Sequence, residues 1–576
     1  MTDKITLALA QINPKVGDLE GNLQLILEAR ATAAKQGADL VIFPELAVTG
    51  YPPEDLVLSE AFLAATEAVV AKLAALTRKD GPALLVGAPW RKNILQSPQA
   101  EDGSLFSSEH SAAPPKPSFN AVLLLDEGEI KTVRVKHDLP NYGVFDEKRV
   151  FNSGPLPGPI NFRGVRLGFL ICEDFWTPDC AECLAESGAE ILISPNGSPY
   201  EHQKNYIRMA HAVARVTETG LPFIMINQVG GQDELVFDGA SFVLNADRSV
   251  AAYLPSFQSA IVVTYWQRKD KGWVCDLAER HSPPEGPAAI YGALVLGLRD
   301  YVKKNGFPGI LLGLSGGVDS ALCAAIAVDA LGAEKVWAVM MPSPYTSQDS
   351  LDDAVDIARR LGIRLDNVSI KPAMQAYDSM LENIFAKNTK DTTEENLQSR
   401  SRGITLMALS NKFGHMLLAT GNKSEMSVGY ATLYGDMCGG FAILKDVYKM
   451  DVYACCDWRN QAVPQGALGP AGVVIPERVM TKAPTAELKL NQKDEDTLPP
   501  YPVLDRILHL LVEENASVTA VIDAGFDKAI VQRVRLMLDR AEYKRRQAPP
   551  GVKITRRAFG RDRRYPITNG FREENQ

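Results

Sequence analysis

The run Ile310-Leu311-Leu312-Gly313-Leu314-Ser315-Gly316-Gly317-Val318-Asp319-Ser320, followed by the alanine-rich stretch 321–327, constrains the fold more than any other part of the sequence. A short apolar run without alternation reads as a strand buried on both faces, and the alanine-rich stretch as the helix that packs back onto it. The glycines then lie at a strand-to-helix turn, where successive N–H groups and a helix N-terminus form an anion nest. Gly316 and Gly317 let a ligand approach the backbone closely, and Ser315 and Ser320 add hydroxyl donors. The Gly-Lys-Ser/Thr ending of a kinase-type phosphate loop is missing, and an acidic residue stands among the donors. A carboxylate beside a polyphosphate requires a cation, so Asp319 is read as a magnesium ligand.

A chain of 576 residues is too long for one ordinary core, and two domains are expected. No apolar run is long enough to span a bilayer, and Met-Thr-Asp-Lys leads directly into a strand-like stretch without a signal-peptide pattern, so the expectation is a cytoplasmic protein without membrane partners. The net charge of −9 argues against a general nucleic-acid binder. Eight cysteines give neither a four-ligand zinc pattern nor a disulfide framework; Cys180 and Cys183 form a C-x-x-C with no second pair. Basic residues crowd residues 544–564, read as a solvated tail or, more sharply, as a site for a polyanion.

The first half alternates buried-strand runs with helical stretches. Residues 5–11 read as a strand, 22–36 as a helix, and 38–45 as a second strand that ends in Phe43-Pro44-Glu45, which puts Glu45 at a sheet rim. Strands follow at 83–87 and 120–125, separated by the Pro/Ser-rich stretch 96–118, expected as a long surface loop. A strand beginning at Val133 reaches Lys136-His137-Asp138-Leu139-Pro140 and a loop rich in ionisable groups through Glu147. Another, from Val165, ends in Cys172-Glu173-Asp174. Further strands are expected at 191–199, 223–227 and 239–244, with a helix from Lys204 to Arg215. The Pro-rich segment 281–287 has linker composition and divides domains 1–280 and 288–576.

Three strand ends thus offer a glutamate, a lysine and a cysteine. Together, Phe-Pro-Glu, Lys-x-x-Leu-Pro and Cys-Glu-Asp resemble the Glu-Lys-Cys site of the nitrilase and carbon–nitrogen hydrolase family. That resemblance implies an αββα sandwich in which Cys172 attacks an amide carbon, Glu45 takes the thiol proton and Lys136 stabilises the oxyanion. Lys136 is also expected to lower the thiol pKa. The same resemblance implies that Tyr142, Ser198 and Lys204 hold a free glutamine. A papain-like pair with His137 is disfavoured, since the local signature around the cysteine is absent.

In the second half, a helix over 288–305 leads into the glycine turn, and a strand over 336–341, a helix over 347–361 and a strand over 416–420 continue the βαβ rhythm of a Rossmann-like, doubly wound parallel sheet. Residues 387–402 read as polar and helix-poor at first, entering a helix near Asn396 that runs through Lys412. Gly421-Asn422-Lys423-Ser424-Glu425 follows a strand end, so Glu425 joins Asp319 as a second magnesium ligand. The Ser-Gly-Gly-x-Asp-Ser turn resembles that of the ATP pyrophosphatases.

With Tyr434-Gly435-Asp436-Met437, Asp446-Val447-Tyr448-Lys449, Lys482-Ala483-Pro484-Thr485 and Lys544-Arg545-Arg546-Gln547, nearly the whole chain resembles the glutamine-dependent NAD synthetase family. The resemblance implies that ATP contacts Gly313, Leu314, Ser315, Gly316, Gly317, Val318, Asp319, Ser320, Thr420, Lys449 and Thr485, and that deamido-NAD contacts Asn396, Glu425 and Lys544. It further implies Mg2+, ATP as co-substrate, AMP-forming amidation through a nicotinyl-adenylate with internally delivered ammonia, and a homo-oligomer. The alternative is a carbon–nitrogen hydrolase with a nucleotide-sensing domain.

Overall fold

The computed structural model describes residues 3–91, 118–571 and 573. All but the last residue of the loop expected over 96–118 lies outside the described residues. The chain divides into two compact units: residues 1–232 with 237–284, and residues 233–236 with 285–576.

The first unit is built on two sheets. One runs Gly272–Cys275, Ala260–Lys269, Lys4–Gln11, Leu40–Ile42, Ala83–Arg91, Ser118–Asp126, Glu129–Val135 in spatial order, and the other Val250–Tyr253, Phe242–Leu244, Phe223–Asn227, Ile191–Asn196, Val165–Phe169, Ile160–Phe162. Alternate side chains explain the layering. Leu7, Leu9, Leu40 and Ile42 on one sheet pack against Ile191, Ile193, Ile224 and Ile226 on the other. Their neighbours Ala8, Ala10, Val41 and Phe43 face the helices Leu19–Ala34 and Glu60–Leu76. On the far side, Leu192, Phe223 and Met225 meet the helices Asp179–Glu186 and Lys204–Thr219. The order is helix, sheet, sheet, helix, the αββα sandwich of nitrilase-like proteins.

The second unit holds a five-stranded sheet in the order Arg364–Asn367, Val336–Met340, Ile310–Gly313, Met416–Ala419, Phe441–Ala442, with each neighbouring pair parallel. Strand order reverses between Ile310–Gly313 and Met416–Ala419, the switch point at which doubly wound sheets bind ligands. The helix Val318–Leu331 is buried along nearly its whole length, Asp319 excepted.

Two expectations change. The helix expected near Asn396 begins earlier and spans Thr392–Phe413, because Asp391 and Glu394 form a reciprocal capping box that fixes its start. The basic C-terminal segment is no solvated tail: Arg545, Lys553 and Arg563 are buried and paired with Glu542 or Asp562. No helix among the described residues is long and apolar enough to cross a membrane.

Gly87 shows how tightly the sandwich is built. A Cβ there would lie 2.3 Å from the Leu46 backbone nitrogen and 2.9 Å from the Pro44 carbonyl oxygen. Gly87→Ala should therefore cost about 1–3 kcal/mol through backbone displacement, read as a lowered denaturation midpoint. An unchanged midpoint would show that this strand junction yields without strain.

Candidate active sites

In the first unit, Glu45 follows the strand Leu40–Ile42, Lys136 follows Glu129–Val135, and Cys172 opens a tight turn after Val165–Phe169. All three are buried, Glu45 and Lys136 completely. Lys136 Nζ donates to Glu45 Oε1 at 2.7 Å and to Glu147 Oε1 at 3.0 Å. Glu45 also accepts from Asn120 Nδ2 at 2.7 Å and from the Gly197 amide at 2.8 Å. Tyr51 donates to Glu147 Oε1 at 2.7 Å. Cys172 sits at φ +50°, a strained conformation for a side-chain-bearing residue that marks functional turns.

Asp174 explains the spacing of Cys-Glu-Asp. Its Oδ2 accepts from the Ile171 amide at 2.9 Å, and its Oδ1 from the amides of His137 and Asp138 at 3.1 and 2.8 Å. One carboxylate thus ties the cysteine turn to the backbone just beyond Lys136. Burial raises its own pKa to about 7.

Lys136 acts on the Cys172 thiol in the expected direction, but its pull is outweighed. Burial, reinforced by Glu45, pushes the Cys172 pKa well above its ordinary value; Lys136 pulls it down but does not prevail. Burial is the largest cause, and the pull of the ammonium is weakened because two carboxylates share it. For Lys136 itself burial opposes the charge, yet Glu147 and Glu45 outweigh it and hold the pKa well above the usual range.

Tyr142 is half exposed and donates to Glu173 at 3.0 Å. Its ring meets Phe145 edge-on at 5.5 Å, and Lys204 Nζ lies 5.5 Å from the same phenylalanine ring. Ser198 is buried beside Gly197 and exchanges two hydrogen bonds with Asn227, at 2.9 and 3.0 Å. Tyr142 and Lys204 therefore share one surface around Phe145, and Ser198 adjoins the Glu45 contact.

In the second unit a cavity of about 300 Å³ opens at the switch point of the sheet. Residues Gly313 to Ser320, Thr420, Glu425, Lys449 and Thr485 all line it, as do Arg402, Asp436 and Asp494. Gly316 adopts φ +79°, and a Cβ there would fall 2.2 Å from the Ser350 carbonyl oxygen, so the turn admits only glycine. Ser315 Oγ accepts from the Gly317 amide at 3.2 Å, and no side chain caps the helix that begins at Val318.

Lys449 pairs with Asp319 and, at 3.4 Å, with Glu425, while Asn422 Nδ2 donates to Asp319 Oδ1 at 2.8 Å. Burial pushes Glu425 up to about 8 against the pull of Lys449, with Asp319 adding to the rise. Hard oxygen donors from two carboxyl groups at one cavity fit a hard dication. Asn396 and Lys544 do not line this cavity. Asn396 Oδ1 accepts from Thr432 Oγ1 at 2.9 Å, and Lys544 Nζ donates to the carbonyls of Gly429 and Ala431 at 2.7 and 2.6 Å. Both thereby hold the segment that leads to Asp436.

The sequence reading did not single out Glu147, Asn120 or Tyr51. Glu147 stood in a loop already noted for its ionisable groups, which was the available signal; a lone asparagine in a strand gives none.

The first unit is thus a carbon–nitrogen hydrolase and the second an NAD synthase: family models of those descriptions match residues 6–270 and 290–548. The glutamine-dependent NAD(+) synthetase of Rhodobacter capsulatus is 49% identical over the whole of both chains. A solved glutamine-dependent NAD+ synthetase from Acinetobacter baumannii, in complex with ADP, is 42% identical with a TM-score of 0.75, covering 98% of this chain and 99% of that one. One from Cytophaga hutchinsonii shares the fold at 21% identity, with a TM-score of 0.79 and 98% coverage of each chain. The chain belongs to the glutamine-dependent NAD(+) synthetase family.

Glu147 offers a test of the first site. Burial pushes it up to about 6, so below that pH it protonates and its share of the Lys136 charge passes to Glu45. Glutaminase turnover should therefore fall as pH drops through about 6, and Glu147→Gln should remove that limb while losing roughly tenfold or more in rate at pH 8. An unaltered pH profile in the variant would confine Glu147 to charge balance.

Proposed function

We propose that this chain catalyses the AMP-forming ligation ATP + deamido-NAD + L-glutamine + H2O → AMP + pyrophosphate + NAD + L-glutamate, with the amide nitrogen drawn from glutamine. Glutamine is held by Tyr142, Ser198 and Lys204. Because burial keeps Cys172 a neutral thiol, attack on the amide carbon is coupled to transfer of its proton to Glu45, which then passes it to the departing ammonia. Lys136 stabilises the tetrahedral oxyanion, and Glu45 activates the water that releases glutamate.

In the second unit the loop Gly313 to Ser320, with Thr420, Lys449 and Thr485, holds ATP. Deamido-NAD lies along the segment bordered by Glu425, Asn396 and Lys544. Its nicotinate carboxylate attacks the α-phosphorus; pyrophosphate leaves, and ammonia then displaces AMP from the acyl adenylate. Asp319 and Glu425 would hold a magnesium ion, which would supply charge neutralisation for the departing pyrophosphate. Water would compete for the adenylate, so the ammonia is delivered within the protein. We place the enzyme in the cytoplasm, acting on small molecules alone. A homo-oligomer is supported by the helix Lys371–Phe385, which buries none of its residues and leaves Met380 and Ile384 70% and 72% exposed.

The observation that carries this reading is the pairing of Asp319, Lys449 and Glu425 at the same cavity as the glycine turn, in a chain that also assembles Glu45, Lys136 and Cys172. A hydrolase with a nucleotide-sensing domain would not require such a carboxylate pair. Cys172→Ala should fail to make NAD with glutamine yet make it with ammonium salt at high concentration, releasing AMP and pyrophosphate. Retained glutamine-dependent synthesis would make Cys172 structural, and loss of the ammonium reaction in a folded variant would refute separable sites. Asp319→Asn should abolish adenylation while leaving a basal glutaminase rate. NAD synthesis at the parental rate at saturating magnesium would remove Asp319 from the metal assignment.

A further inference from the structure

Glu425 reaches the nucleotide cavity on the helix Lys423–Val428, which has six residues and is too short to hold its own place. Its position is set from both ends by the basic C-terminal segment. At the start, Asn422 caps the helix by accepting from the Glu425 amide at 3.0 Å and donates to Asp319, so its location fixes both carboxylates. The next residue, Lys423, is wholly buried and points the other way. Its Nζ meets Asp446 Oδ1 at 2.7 Å, Glu513 Oε1 at 2.5 Å, Thr555 Oγ1 at 2.5 Å and the Arg557 carbonyl at 3.0 Å. Asp446 and Glu513 in turn accept from the amides of Ile554, Thr555 and Arg557 at 2.8, 2.7 and 2.8 Å.

At its end the helix stops on Gly429, in the left-handed conformation at φ +73°. Arg545 donates to the Ser427 carbonyl at 2.6 Å, and Lys544 to those of Gly429 and Ala431. Two cations therefore satisfy the carbonyl end of the helix, where its dipole is negative. The Phe559 ring lies 5.5 Å from Lys423 Nζ and 4.7 Å from the Arg545 guanidinium, so one aromatic face joins the two ends. Lys423, Arg545, Thr555 and Phe559 do not line the cavity.

We propose that the segment 544–563 is a cradle for this helix, and that Lys423, Thr555 and Phe559 are positioning residues for the synthetase reaction: they hold Asn422 and Glu425 in register with Asp319. The inference rests on reading that cavity as the adenylating site. It assigns a task to the basic run at the C-terminus other than solvation or capture of a free polyanion. Because their action passes through the carboxylate pair, these residues govern the affinity for magnesium with nucleotide, and leave glutamine hydrolysis alone.

Lys423→Met strands two buried carboxylates and is expected to unfold the unit, so it is a poor probe. Thr555→Val keeps the shape and removes one hydrogen bond to Lys423 and the hydroxyl's contacts with Asp446; Phe559→Leu keeps the core apolar and removes the shared ring. Each full-length variant is titrated calorimetrically with a non-hydrolysable ATP analogue and magnesium, and assayed for ammonium-dependent NAD formation and for glutaminase. The expected result is a parental glutaminase rate, with the dissociation constant of the magnesium–analogue complex and the half-saturating magnesium concentration both raised about threefold or more, the scale of a charged hydrogen bond only partly transmitted. Parental binding in both folded variants would overturn the proposal, as would a fall in kcat with no change in either magnesium-dependent constant. A parent chain that binds the analogue but makes no NAD from ammonium would refute the proposed reaction instead, while the binding titration would still decide the cradle.

Discussion

An ammonium group sealed from water must be surrounded by anions and acceptors, and Lys136 is such a group. Much of the first unit is arranged to meet that demand. Glu45 comes from one strand end, Glu147 from the start of the short helix Glu147–Val150, and Glu45 is reached by Asn120 from within a strand of one sheet and by Gly197 from just beyond a strand of the other. Take away any of these and a buried charge or a buried donor is left short of a partner, which is why the site is inseparable from the sandwich that carries it. The same arrangement sets the chemistry. Burial and the neighbouring Glu45 hold the Cys172 pKa well above its ordinary value, against the pull of a Lys136 charge that two carboxylates share.

What could be read in the sequence follows from how local each signal was. Phe43-Pro44-Glu45 and Cys172-Glu173-Asp174 were legible because an apolar run that ends in a charged residue marks a strand end by itself. So were the three central strands of the second unit's sheet, which are apolar and separated by helical stretches, whereas the polar edge strand Arg364–Asn367 and the two-residue Phe441–Ala442 carried no such signal. Asn120 was not legible, because its importance comes from facing Glu45, 75 residues away in sequence. The early start of the helix Thr392–Phe413 hid behind polar composition, although Asp391 and Glu394 stood at capping-box spacing. The C-terminal arginines looked solvated because their partners, Glu542 for Arg545 and Arg563, are recognisable only once the chain is folded. The expected pull of Lys136 on the Cys172 thiol is present, but the burial that outweighs it could not be read from a cation's position in the sequence.

Both units solve a charge problem with one lysine and two carboxylates, and the difference in enclosure separates their roles. Glu45 and Lys136 are fully buried and braced by Asn120 and a backbone amide, so the triple is closed. Asp319 and Glu425 remain 18% exposed at a cavity, with Lys449 as their shared cation. An ammonium and a dication cannot both occupy the space between two carboxylates without strong mutual repulsion. A metal taken up by that pair would displace Lys449 from the carboxylates. The closed triple suits proton transfer on a neutral amide, where charge must be redistributed without loss. The open one suits a polyanion that brings its own cation, and it requires the carboxylates to stay in place while their partner changes. A helix of six residues can supply that constancy only if something outside the cavity holds it, and here the anchors sit at both of its ends, on the side away from the ligand.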